Sequence, residues 1–548
     1  MDFTIALDNY STLPLYRQLY EELRRLILSG RLVPGQRLPS TRALARSLSI
    51  SRATVTQSYE QLLSEGYLQT VTGSGTFVCA QLPDDLLRAS IPIPSAIASR
   101  MPAGQSVRLS TYGASLLDTD PRERERRRWG DGEMGEESSA SIHPCYTNPK
   151  SKIVRLNFDR LSYRADSELV ELHAEVQNPK SPISFRYGSP AFDEIPLKQW
   201  RQLLSRHCRM GQKAMFDYAS DSAGYQPLRE AIAGYLVQSR AVQCDADQVI
   251  IVSGSQQALD LVTRVLVDRG DEVAIENPGY LDARRIFLAQ GAKLWPLPVD
   301  ESGVMVERLR LSTRSAAHIK LIYVTPSHQF PTGAVLSLPR RLELLAWATQ
   351  AGAMIIEDDY DSEFRYGGRP IPALQGLDQG NSVIYIGTFS KVLFPALRVG
   401  YLVVPKTLVR VLANAKRLTD RHGPLLEQQV LTDFINEGYL ERHIRRMRTL
   451  YDQRRQTLME ALLLQVGKQV TILGENAGMH LMIRLHTPLS DDEIIGKAAQ
   501  LGLDLVNAKP YYLEGNGKSE FVIGYADLSL EEITEGVQRL AQVLNDQL

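Results

Sequence analysis

Cysteine is scarce in this chain: Cys79, Cys145, Cys208 and Cys244 are scattered over 548 residues and form no CxxC pair. That spacing argues against a disulfide scaffold and against a zinc site, so no metal is expected, and it suits a reducing cytosol. Long apolar runs are missing as well. None approaches the roughly 18 residues that span a bilayer, and the start Met1-Asp2-Phe3-Thr4 has neither a basic region nor an apolar one behind it. A cytoplasmic location without membrane contact is the expectation. Net charge is nearly absent: 62 Lys and Arg stand against 63 Asp and Glu, a formal −1. Any nucleic-acid partner must therefore be met by a local basic surface. Repeats are absent too. What remains is 43% hydrophobic and 23% charged residues, the composition of a globular protein, at a length that calls for several domains.

Three segments differ in texture. Residues 12–80 read as helices followed by a hairpin. Leu15, Leu19, Leu23, Leu26 and Ile27 recur at helical spacing, and Gly30 with Pro34-Gly35 ends that helix. Pro39-Ser40-Thr41 opens a second helix carrying Leu44 and Leu48. Ser51 is placed to cap a third, with Val55, Tyr59, Leu62 and Leu63 on its inner side. Tyr67 to Val78 then reads as two strands around Gly73-Ser74-Gly75. Residues 81–180 are rich first in Pro, Ser and Ala and later carry the mixed-charge run Arg122 to Arg128, which predicts a flexible, solvated linker. From 181 to 548, unbroken apolar runs alternate with helical patterns: Val249–Val252, Glu272–Ile275, Leu321–Val324, Ala353–Ile356 and Val383–Ile386. Such runs predict buried, mainly parallel strands flanked by helices, an α/β class. A large domain over about 220–405 and a small one mainly over 406–548 are expected.

The first segment has the order of a winged helix-turn-helix, whose third helix enters the major groove of DNA. Residues 1–80 hold eight Arg, no Lys and six acids, so placement of charge matters more than its sum. The helix start Ser51-Arg52-Ala53-Thr54 offers hydroxyls and N–H groups for phosphates and an arginine for base edges. From Leu15-Tyr16 through Gly35-Gln36-Arg37-Leu38-Pro39-Ser40-Thr41-Arg42 and Ser51–Val55 to Gly73-Ser74-Gly75-Thr76-Phe77-Val78, the segment strongly resembles the GntR family of bacterial regulators. The resemblance implies DNA contacts from Arg42, Ser51, Arg52, Thr54 and Gly73 and a double-stranded operator as partner.

The strand ends of the last segment carry the chemistry. Lys391 follows one strand in Gly387-Thr388-Phe389-Ser390-Lys391, and Asp358 with Tyr360 follows another in Glu357-Asp358-Asp359-Tyr360-Asp361. Ser253-Gly254-Ser255-Gln256-Gln257 joins a strand to a helix, where backbone N–H groups make an anion site. Tyr280 follows Glu276-Asn277-Pro278-Gly279, and Arg398 lies seven residues beyond the lysine. Pyridoxal 5′-phosphate (PLP) needs a Schiff-base lysine, a carboxylate for its ring nitrogen, a phosphate cradle and an aromatic lid. Lys391, Asp358, the group Ser255, Gln256, Thr388, Ser390 and Arg398, and Tyr280 supply one set, with Tyr360 near the ring 3′-oxygen. Taken singly, SGSQQ also reads as an ordinary strand-to-helix turn and EDDYD as a metal site or solvated loop. Their order at successive strand ends is what joins them.

Together with Phe185–Pro190, Gly224–Arg229, Thr325-Pro326-Ser327-His328-Gln329-Phe330-Pro331-Thr332-Gly333 and Ser390–Gly400, these residues resemble the fold type I aminotransferases. The specific likeness is to MocR-type regulators, a GntR module fused to an aminotransferase-like domain. That resemblance implies a PLP-dependent transcription regulator, a head-to-tail homodimer, and PLP or an amino compound as effector. Two departures from working aminotransferases stand out. Phe330 replaces the Asn that precedes Pro-Thr-Gly in many of them, and no secure match for the arginine that clamps a substrate carboxylate exists around Phe521–Tyr525, with Arg484 the nearest substitute. A competent aminotransferase with an added DNA module and a scaffold that has lost PLP remain the competing readings. Sustained turnover would mark the first and a colourless protein the second.

Overall fold

The computed structural model describes residues 15–28, 31–33, 35–48, 50–64, 67–71, 75–79, 107–117, 183–210, 217–218, 221–311, 319–366, 372–513 and 519–545. The N-terminal module comprises α1 (Leu15–Leu28), α2 (Thr41–Ser47), α3 (Arg52–Ser64), β1 (Leu68–Val71) and β2 (Gly75–Val78). Leu19, Leu23, Leu26 and Ile27 of α1 are buried with Leu44 of α2 and Val55, Tyr59 and Leu62 of α3. Ser40 Oγ accepts from the Ala43 amide and Ser51 Oγ from the Thr54 amide, so both helix starts are satisfied locally. β1 and β2 pair antiparallel as the wing, and residues 36–38 lie along β2 through Val78 N to Gln36 O and Leu38 N to Thr76 O.

Inside the stretch expected to be solvated linker, residues 107–117 are docked on the large domain, and the linker reading fails there. The helix α4 (Thr111–Ser115) is capped by Ser110, whose hydroxyl donates to Arg264 O at 2.6 Å, while Leu116 is buried. Charge counting misses this segment because its own anchoring residues include Leu116, Ser110 and Gly113, while Asp268 and Asn414 of the large domain meet its backbone at Thr111 N and Leu116 O. A Cβ on Gly113 would stand 2.3 Å from Val265 O.

The large domain begins with α5 (Leu197–Met210) and α6 (Gln226–Arg240), and continues with β4 (Val249–Val252), α7 (Ser255–Leu266), β5 (Glu272–Asn277) and α8 (Leu281–Ala289). Next come β6 (Lys293–Asp300), β7 (Gly303–Val304), α9 (Glu307–Leu311), β8 (Ile319–Val324), α10 (Leu338–Ala351) and β9 (Met354–Asp359). α11 (Leu374–Leu377), β10 (Val383–Thr388), β11 (Gly400–Val403), α12 (Lys406–Asp420) and α13 (Leu425–Asn436) complete it. The sheet order is β4-β11-β10-β9-β8-β5-β6-β7, parallel except for β11 and the short β7. Residues Ile250 and Val252 of β4 face one core and Val249 and Ile251 the other. Both faces are covered, which is why the strand sequences show no polar alternation. Parallel strands also bring residues 253, 277, 325, 359 and 388 to one edge, where the site is built.

The two cores divide later than the expected boundary near 405. α12 and α13 bury Leu408, Val411, Leu412, Val430 and Phe434 against the large sheet. α14 (Tyr439–Gln465) then spans the divide, with Leu440 and Ile444 in the large core and Met447, Tyr451 and Leu458 in the small one. The small domain adds β12 (Val470–Leu473), β13 (His480–Leu485), α15 (Asp491–Gln500), β14 (Leu503–Asp504), β15 (Val506–Asn507), β16 (Glu520–Gly524) and α16 (Leu530–Asn545). Its antiparallel sheet runs β12-β13-β16-β15, and β14 pairs with β3 (Ile183–Ser184), so the segment entering the large domain is anchored in the small one.

Candidate cofactor site and DNA-reading surface

Lys391 sits three residues beyond β10 with its amine drawn inward. Nζ donates to Gly188 O at 2.8 Å and lies 5.0 Å from the centre of the Tyr187 ring. Burial lowers its pKa, against the pull of Asp361 and Asp358, which favours the neutral amine that a covalent attachment requires. Gly188 has φ +116°, and a Cβ there would stand 2.9 Å from Nζ, so any side chain would press on the amine.

Asp358, at the end of β9, is buried. The Tyr323 hydroxyl donates to Oδ2 at 2.7 Å, while Oδ1 is buried with no partner among the described residues. Desolvation pushes the carboxyl up to about 7, opposed by the Tyr323 hydrogen bond. A bare buried oxygen beside a withdrawn lysine fits a ligand that brings its own N–H, as the PLP ring nitrogen does. The sequence reading does not single out Tyr323, whose signal is a hydroxyl within the buried run Leu321–Val324 of β8. Tyr360 is present as expected, but its hydroxyl donates to His328 O at 2.7 Å, which leaves the oxygen to act as an acceptor.

The phosphate end forms at the start of α7. Gly254 has φ +100°, and a Cβ there would stand 3.2 Å from Arg398 Nη2, which also donates to Ser253 O at 2.6 Å. Arg398 is exposed, and its guanidinium lies beside Gly254, the residue before α7. Thr388 and Ser390 form a hydroxyl pair at 3.0 Å beyond β10. Gln256 donates to Asp282 Oδ2 at 2.8 Å, and the Tyr280 hydroxyl donates to the same oxygen at 3.2 Å. Asp282, also unforeseen, thus ties the lid to the cradle.

Phe330 stands among aromatic neighbours, 5.1 Å from Tyr187, 6.0 Å from Tyr280 and 5.0 Å from Tyr511 between ring centres. Where an amide would hydrogen-bond, the site has an apolar wall. Beneath it, His328, Asp361 and His480 bring one potential ligand atom each within 4.8 Å, a grouping that spacing in the sequence does not reveal. His328 Nδ1 meets Asp361 Oδ2 at 3.0 Å and His480 Nε2 meets Pro331 O at 3.1 Å, leaving one ring nitrogen of each unpartnered among the described residues. Burial and the neighbouring His328 keep His480 neutral. Arg484 is not a free clamp: it pairs with the buried Glu520 at 2.9 Å across β13 and β16.

On the module, Arg42, Ser51 and Arg52 are exposed at the starts of α2 and α3, and Thr54 is half-buried. Arg52 Nε reaches Thr41 Oγ1 at 3.4 Å, so the two helix starts form one surface. Gly73 lies outside the described residues.

A family model described as "Bacterial regulatory proteins, gntR family" matches residues 15–78, and one described as "Aminotransferase class I and II" matches residues 181–540. The chain is 37% identical to the "Probable rhizopine catabolism regulatory protein MocR" of Rhizobium meliloti, over 98% of this chain and 95% of that one. It is 30% identical to the HTH-type pyridoxine biosynthesis transcriptional regulator PdxR of Corynebacterium glutamicum, over 95% and 94% of the two chains. Among solved structures, the kynurenine aminotransferase of Pyrococcus horikoshii aligns with a TM-score of 0.65 at 30% identity, covering 71% of this chain and 96% of that one. Among the described residues no helix is long and apolar enough to cross a membrane.

Proposed function

This chain belongs to the MocR-type regulators, which join a gntR-family DNA-binding module to an aminotransferase class I and II domain, and from that premise we propose how its residues sense PLP. It is a PLP-dependent, DNA-binding transcription regulator. Lys391 is the attachment residue, Asp358 holds the ring nitrogen, Tyr360 the 3′-oxygen, and Tyr280 covers the ring. Ser255, Gln256, Thr388, Ser390 and Arg398 form the phosphate cradle. The observation that carries this reading is the unpartnered buried oxygen of Asp358, close enough to Lys391 for the two to shift each other's titration.

Bound PLP supplies an aldehyde for an amine and an electron-withdrawing ring. The protein's part is to hold and orient. Burial lowers the pKa of the Lys391 amine and so favours its neutral form, Tyr323 fixes the Asp358 carboxyl plane, and Phe330 with Tyr187 excludes water from the ring face. The α7 amides and Arg398 balance phosphate charge. The effector is PLP or an amino compound, and PLP is favoured because Arg484 is spent on Glu520 and Phe330 offers no polar contact. A pyridoxine biosynthesis regulator among the relatives is in keeping with that choice. The same two features disfavour sustained transamination.

Arg42, Ser51, Arg52, Thr54 and Gly73 are assigned to the operator. The protein acts as a cytoplasmic head-to-tail homodimer that presents two modules to DNA. The test is spectroscopic: the purified chain incubated with PLP develops a visible band that borohydride abolishes while leaving the cofactor covalently attached, and Lys391→Ala develops none. A wild-type protein that stays colourless in excess PLP refutes the cofactor assignment.

A further inference from the structure

One continuous segment belongs to both halves of the protein. At its start, Thr325 donates through N and Oγ1 to the buried Glu276 Oε2 at 3.1 and 2.6 Å, and Phe330 N donates back to Thr325 Oγ1 at 3.1 Å. The segment then carries His328, whose carbonyl receives the Tyr360 hydroxyl, and Phe330, the wall of the ring site. It ends at Leu336, whose amide returns to Pro326 O at 2.9 Å and closes the loop on itself. Two residues later α10 begins.

Arg341 rivets the loop to that helix. It is fully buried, and its guanidinium donates to Leu336 O at 2.9 Å, Pro326 O at 2.7 Å and Pro372 O at 3.0 Å. Each of its hydrogen bonds goes to a carbonyl, and burial lowers its pKa to about 10. A buried cation held by three fixed carbonyls resists sliding, since each displaced bond leaves a polar group dry. Both ends of the loop therefore move with the first turn of α10.

Leu338 and Leu342, one helical turn apart, lie on the same side of α10 and are only 7% and 6% exposed. They belong to the buried cluster that contains Leu19, Leu23, Val55 and Tyr59 of the DNA-reading module, with Leu377 packed beside it. Their burial is thus completed by the module. We infer that the first turn of α10 is the seat of the DNA-reading module, and that the loop Thr325–Leu336, riveted by Arg341, couples this seat to the PLP site.

The inference rests on the PLP reading above. A ligand that repositions Phe330 or Tyr360 meets a loop that is rigid against α10, and α10 meets the module through two leucines. Occupancy of the site and the set of the module then bias one another, and by linkage the operator must change PLP affinity by the same factor that PLP changes operator affinity.

The experiment measures operator affinity of the full-length protein with and without PLP, and PLP affinity with and without operator. Wild type is expected to show equal ratios of about 5 to 150-fold in the two directions. In Leu338→Ala/Leu342→Ala the visible PLP band persists, while both ratios fall to within twofold of unity. Arg341→Met lowers the ratios likewise, and Arg341→Lys restores part of them. A double-leucine variant that keeps the wild-type ratios overturns the coupling route. If that variant does not fold, hydrogen exchange on wild type decides. PLP must change exchange in both 325–342 and α1, and a change confined to the ring site overturns the inference. A wild-type protein that binds PLP not at all, or whose operator affinity ignores PLP, instead removes the reading beneath it, and needs no variant to show it.

Discussion

A carboxyl group with one oxygen hydrogen-bonded and the other buried bare is costly to ionise, and Asp358 is in that position until a donor arrives. Its charge-assisted bond to a ring N–H is of the class worth about 1.5–3 kcal/mol. Asp358→Asn is therefore expected to weaken PLP binding roughly 10 to 100-fold, read by titrating the visible band. Tyr323→Phe removes only the hydrogen bond that orients the carboxyl, nearer 1 kcal/mol, so a loss of a few-fold is expected. Equal losses in the two variants would contradict the assignment of the ring nitrogen to Asp358. At this scale Lys391, Asp358, Tyr360, Tyr280 and Arg398 are proposed from the sequence because each has a reactive, aromatic or charged group beyond a strand end. Tyr323 and Asp282 are not. One hides inside the buried run Leu321–Val324, and the other looks like any acid in the first turn of a helix. Both act through partners that only the fold brings near, at 35 and 26 positions' distance along the chain.

Elements follow from the sequence where one physical pattern governs them. Capped helices with apolar stripes and doubly covered strands write themselves plainly, and α1 to α3, β4, β5, β8, β9 and β10 fall where the patterns place them. β11 is not legible in the sequence, because nothing in Gly400–Val403 shows that it runs antiparallel between β4 and β10; a strand's direction is set by how the chain returns. α4 is not legible either, because it is short and lies in a stretch whose composition is that of a linker. Its docking makes a sharp test. Gly113 meets the backbone carbonyl of Val265 rather than a side chain that can yield, so Gly113→Ala forces the two apart. Residues 107–117 are expected to become a site of rapid limited proteolysis in that variant, with the PLP band unchanged because α4 lies on the far end of α7 from the cradle. Wild-type resistance to cleavage in Gly113→Ala would mean that the close approach does not hold the segment.

For the whole molecule, a formal charge of −1 decides how DNA is held. Outside residues 1–80 the chain carries 54 Lys and Arg against 57 Asp and Glu, so its net charge does not draw DNA, and residues 1–80 contribute only eight Arg against six acids. One module is thus a weak reader by electrostatics alone, and specific affinity must come from two modules acting on two half-sites. In the homodimer proposed above, binding of the first module makes the second event intramolecular, which raises affinity by about 10² to 10⁴ over one module. Scrambling one half-site of the operator is therefore expected to weaken binding at least about 100-fold. The slope of log affinity against log salt should also fall by about half, because half the phosphate contacts are lost. Both quantities come from one fluorescence anisotropy series over roughly 50–200 mM salt, where counterion release is read. Affinity that changes less than twofold on scrambling, with the slope intact, would show a single module engaged. The body would then be a sensor that delivers one reader, and the equal and opposite placement of two modules would have no part in recognition.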